Sequence, residues 1–139
     1  MVTSRKLLAG GGVVGPLAFI AAWAVLGARA EGYSPVSDPI SELAAADATS
    51  RVPMTAGLVA LGSGVTSYGL ALQGRRAGPA WLAAMVTGVA ALGVAATPLQ
   101  PNAPDRAHGA FAAAGYAALA ATPLLSAGPL ARRGSRGRA

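Results

Sequence analysis

The chain has 139 residues, of which 53% are hydrophobic and only 12% charged, with a formal net charge of +6 and a positive mean hydropathy. An ordinary soluble domain carries about 25% charged residues, so this is the composition of a membrane protein. With no cysteine and a single histidine, the chain lacks the parts for disulfides, thiolate nucleophiles and the usual zinc sites.

The first apolar run, Leu7 to Ala28, follows Arg5 and Lys6. Together with Ala28-Arg29-Ala30 it has the look of a secretory signal and its small-x-small cleavage site. Signal cores span about 7 to 15 residues, however, and this run is longer, so a retained helix is expected. Gly11 and Gly15 form a GxxxG spacing that lets two helix backbones approach in lipid.

A polar segment rich in acids follows, including Gly32-Tyr33-Ser34-Pro35-Val36-Ser37-Asp38-Pro39-Ile40-Ser41-Glu42-Leu43-Ala44. Asp38-Pro39 is a good helix start, with Asp38 as N-cap and Pro39 as the first helical residue. A short helix from Pro39 to about Ala46 is expected. It would give Ile40, Leu43 and Ala44 an apolar stripe facing the bundle or the membrane interface and set Asp38 and Glu42, four apart, on a neighbouring face.

The second and third helices are expected at about 53–72 and 79–98, joined by Arg75 and Arg76; Ala84 and Gly88 repeat the small-residue spacing. A second polar stretch carries Asp105, Arg106 and His108. If Asp105 caps the fourth helix, at about 107–127, His108 lies in its first turn, where the positive end of the helix dipole suits a neutral imidazole. Gly109 and Ala113 again offer a contact spacing. Residues 132–139 form a basic tail, expected to be disordered on anionic headgroups at the cytoplasmic face rather than to bind nucleic acid.

A helix needs roughly 20 mainly apolar residues to cross a ~30 Å hydrocarbon core, and all four runs approach that length. The fold class expected is all-α: one domain, 1–131, forming a polytopic transmembrane four-helix bundle with a short outer interfacial helix after helix 1. Eight cations lie at the termini and between helices 2 and 3 with no acid among them, whereas all five acids lie in the other two connections with Arg29, Arg51 and Arg106. By the preference of Lys and Arg for the cytoplasmic side, both termini are inside a cell membrane, and the acids and His108 are outside. Gly15-Pro16 and Gly78-Pro79, each opening an apolar stretch, also hint at two hairpins related as a parallel repeat.

The segment Gly32 to Leu43 resembles the signature of a bacterial and archaeal membrane family catalogued as a domain of unknown function, number 998 in its series. A Gly-Pro pair in the first helix and His108-Gly109 at the head of a later one add to the likeness, which is strong from Gly11 to Leu70 and looser beyond. Members of that family usually have about six helices, and this chain has four. The resemblance implies a fold and a focal point, since the family name carries no reaction.

The candidate catalytic residues are Asp38, Glu42 and His108, with Tyr33, Ser41, Arg51, Asp105 and Tyr116 as substrate-binding candidates. No Gly-rich phosphate loop, Asp-rich diphosphate motif or nucleophile elbow is present, and Ser37 or Ser41 with His108 and an aspartate has no spacing that selects a hydrolase. A carboxyl buried against hydrocarbon stays protonated and can act as a general acid. The expectation is therefore a small membrane enzyme for an isoprenoid or other lipid, working without metal or cofactor by protonation-initiated cyclisation or isomerisation. Glu42 or Asp38 would be its acid and His108 its base or orienting partner. The alternative is a non-catalytic lipid- or ligand-binding module or an accessory subunit. Expected partners are membrane lipids and a lipophilic small molecule, with no nucleic acid; small-residue faces equally allow a homo-oligomer.

Overall fold

The computed structural model describes residues 2–73, 78–101 and 105–136, with no account of side chains from 128 onward. Four helices follow in order: α1 (Val2–Gly27), α2 (Arg51–Leu72), α3 (Ala80–Ala96) and α4 (Arg106–Arg136), with a short 3-10 helix, Ile40–Ala44, between α1 and α2. No strand occurs among the described residues. Segments of α1, α2 and α4 are long and apolar enough to cross a bilayer. At 17 residues, α3 reaches about 25 Å at 1.5 Å per residue, a little short of a typical hydrocarbon core.

Glycine decides how these helices pack. A methyl group on Gly11 would sit 2.7 Å from the Gly64 carbonyl oxygen, and one on Gly15 would sit 2.5 Å from that of Ala60, so the α1–α2 backbones are in contact along the first GxxxG spacing. The pairing of 11 with 64 and 15 with 60 makes α1 and α2 antiparallel. Gly62 and Gly88 bring α2 against α3 in the same way, and Gly93 receives the ring of Phe111 from α4. In lipid such close approach replaces the hydrophobic drive that packs soluble helices. The third spacing behaves otherwise: Gly109 meets nothing within 4 Å, and Ala113 is exposed. The face that α4 turns to α3 carries Phe111, Gly115 and the buried Ala118 instead.

The helices form a row in which α1 packs on α2, α2 on α3 and α3 on α4, while α1 and α4 do not close face to face. A second centre of packing lies at the end holding the 3-10 helix. Leu43, Ala44, Met54 and Leu58 are buried there beneath Phe19, Trp23, Tyr33 and Ile40.

Three expectations change. The polar segment forms a 3-10 helix rather than an α-helix from Pro39 to Ala46, and Pro39, not Asp38, occupies its cap position without a side-chain bond. The reason is local: the Asp38 carboxylate is occupied by the Ser34 N–H at 2.7 Å and the Ser37 hydroxyl at 2.9 Å, and the Ala46 N–H leaves the helix to bond the Leu99 carbonyl at the end of α3. The helices also run longer than the apolar stretches at three termini, because α1 includes Arg5 and Lys6, α2 begins at Arg51, and α4 continues to Arg136. The segment read as a disordered tail is thus helical as far as Arg136, a continuation open to straight-chain arginines, which have good helix propensity. Arg75, Arg76 and Arg138 lie outside the described residues.

Candidate functional site

At the end of the bundle that holds the 3-10 helix, the open side of the helix row forms a half-open cavity of about 230 Å³. Its walls are Phe19 of α1, Leu58 and Leu61 of α2, Thr87, Ala90, Ala91 and Val94 of α3, and residues of α4 from His108 to Leu119. Pro39, Ile40 and Ser41 close it at the polar end. Small residues on α3 and α4, Ala90, Ala91, Ala112 and Gly115, leave part of that space. For scale, an engineered apolar cavity of about 150 Å³ accepts benzene.

His108 is the one polar or charged residue buried among the described residues, at 7% exposure. It sits in the first turn of α4, and its Nδ1 lies 2.6 Å from the carbonyl oxygen of Thr97, the residue that ends α3. A carbonyl can only accept, so Nδ1 carries the proton and donates it. In the neutral ring Nε2 is then an acceptor. The bond also satisfies one of the carbonyls left over at the end of α3, which Pro98 prevents from continuing. His108 therefore ties two helices together and still presents its ring to the cavity.

Of the eight candidate residues, His108, Ser41 and Tyr116 line the cavity and the other five do not. Glu42 is exposed and does not line the cavity. Asp38 is half-buried, but its carboxylate holds the Ser34–Asp38 turn. Tyr33 accepts a hydrogen bond from the Trp23 indole at 3.1 Å and packs over the Leu43–Met54 cluster. Arg51 donates to the Ala46 carbonyl at 3.4 Å. Asp105 precedes α4 and accepts the Gly109 N–H through its carbonyl, while its carboxylate turns away to the Gln100 N–H at 3.3 Å.

Sequence reasoning passed over Phe19, Phe111, Ala112 and the Thr97 carbonyl. The apolar three look like ordinary lipid-facing or packing residues. The carbonyl did have a signal: Thr97-Pro98 ends an apolar helix with unsatisfied acceptors, and the next helix opens with the chain's single histidine.

An all-α row of four helices, three of them long and apolar enough to cross a membrane, with an apolar cavity bordered by a buried histidine defines the class, a polytopic helical membrane protein. Within it, the model of a protein family of unknown function, DUF998, matches residues 13–139, and the chain belongs to that family. The match runs past the region of strongest resemblance to the end of the chain and so includes α3, α4 and His108. No curated protein and no solved structure matches the chain.

Proposed function

We propose that this protein holds a lipophilic small molecule in the cavity between α1 and α4, with the polar end of that molecule at His108 and Ser41. The observation that carries the proposal is the cavity itself: aliphatic and aromatic walls with few polar groups, the usual make-up of a ligand site. At about 230 Å³ it takes a small lipophile or one portion of a longer chain, and the gap between α1 and α4 lets the remainder extend into the bilayer. In this reading the protein lies in the cell membrane with both termini in the cytoplasm, and the polar end of the cavity lies toward the outer face.

The test is retention. Protein purified in mild detergent carries a neutral lipophile detectable by mass spectrometry, and Ala112→Phe, which puts a ring into the cavity, loses most of it while remaining folded. Equal retention by wild type and Ala112→Phe would refute the reading.

A second reading, favoured by the hydrogen bond from Nδ1 to Thr97, makes His108 a general base that removes a proton from the bound lipophile, as in an isomerisation. Protonation by Glu42 or Asp38 has less support, because neither lines the cavity. If isomerisation occurs, His108→Ala abolishes it without abolishing retention. Turnover that survives His108→Ala would exclude the base.

A further inference from the structure

The polar end of the cavity also has a chemical preference. Resting on the lipophile reading above, we propose that the site selects a neutral ligand whose headgroup donates a hydrogen bond, an alcohol in the simplest case, over an anionic phosphate or carboxylate. The Thr97 carbonyl fixes the proton of His108 on Nδ1, so what the neutral ring offers a ligand is the Nε2 lone pair. An acceptor headgroup has nothing to receive from that atom. A hydroxyl can donate to it and keep its own lone pairs for a donor such as Ser41, which also lines the cavity.

Charge argues the same way. Among the described residues, neither a lysine nor an arginine lines the cavity. Arg106, two residues before His108, is exposed and outside the wall, and Arg51 is occupied with the Ala46 carbonyl. An anion brought here would lose its hydration without a cationic partner, a cost that binding sites for phosphate and carboxylate avoid with arginine or lysine.

Because His108 is the single histidine, its imidazole nitrogens are unambiguous reporters in ¹⁵N spectra of the full chain in nanodiscs. The probes are 1-decanol, methyl decyl ether and decanoate, titrated into wild type and Ala112→Phe. The expected result is a protonated Nδ1 before any addition, and a saturable shift of Nε2 with decanol that Ala112→Phe abolishes. The ether should bind roughly tenfold more weakly, as loss of one hydrogen bond implies, and decanoate more weakly than the alcohol. An unprotonated Nδ1, equal binding of ether and alcohol, or equal or tighter binding of decanoate overturns the headgroup assignment. If all three move the Phe111 and Phe19 ring signals alike, the lipophile reading stands and the headgroup selection falls. If none does so in wild type beyond Ala112→Phe, the lipophile reading itself fails.

Discussion

At the residue scale, the two acids of the polar segment differ in what they hold. Asp38 closes a turn by accepting the Ser34 N–H on its carboxylate while its own N–H bonds the Ser34 carbonyl at 2.9 Å. Asp38→Ala removes a charge-assisted acceptor from a half-buried site and should cost about 1–2 kcal/mol, read as a lower midpoint of thermal unfolding in detergent. Glu42 is exposed and outside the cavity, so Glu42→Gln should change stability by no more than about 0.5 kcal/mol and leave ligand retention intact. A larger effect of Glu42→Gln on retention would return the carboxylate to the site. Met54 is fully buried where the loop meets α2, and Met54→Ala should cost about 2–5 kcal/mol in the same measurement. The motif Asp38-Pro39-Ile40-Ser41-Glu42 thus acts mainly as architecture. Its conspicuous acids stay outside, and its inconspicuous Ile40 and Ser41 form part of the cavity wall.

At the element scale, packing rests on glycines with different duties. A side chain on Gly64 would run into the Gly11 carbonyl and the Gly15 backbone, so Gly64→Leu must force α1 and α2 apart. The expected loss is about 3 kcal/mol or more, seen as lost disulfide cross-linking between cysteines placed at Ala22 and Gly57, which face each other across α1 and α2. Gly109→Leu, on an open face of α4, should be tolerated with cross-linking unchanged. Failure of Gly109→Leu to fold would show that this face is occupied. All three small-residue spacings look alike in sequence. Gly11/Gly15 and Ala84/Gly88 lie at contacts, and Gly109/Ala113 does not, because a spacing records that close approach is allowed and not which neighbour arrives.

At the scale of the whole molecule, the polar segment between α1 and α2 and the α3–α4 connection meet at one end of the bundle: Ala46 bonds Leu99, and Pro39 to Ser41 share a cavity with His108. In the orientation proposed from the charge asymmetry, a cysteine at Val36, which is 96% exposed, should react with an impermeant thiol reagent added outside intact cells. One at Gln73, at the opposite end of α2, should react only after permeabilisation. The reverse pattern would invert the topology and put the polar end of the cavity toward the cytoplasm.

Much of this was legible in the chain itself. Length and polarity of the apolar runs determine four helices, since hydrocarbon leaves the backbone no partner but its own carbonyls, and the charge asymmetry supplies an expected orientation. The importance of the polar segment and of His108 was also visible, because polar groups bordering spans this apolar stand out. What the tertiary structure decided is which of those groups share a space. Burial and hydrogen-bond partners depend on residues far apart in sequence, so nothing in the local pattern could separate Glu42, turned to the surface, from His108, closed between the end of α3 and the start of α4. The cavity is likewise a property of the gap that four helices leave when they pack in a row, and small residues write only half of that outcome into the chain.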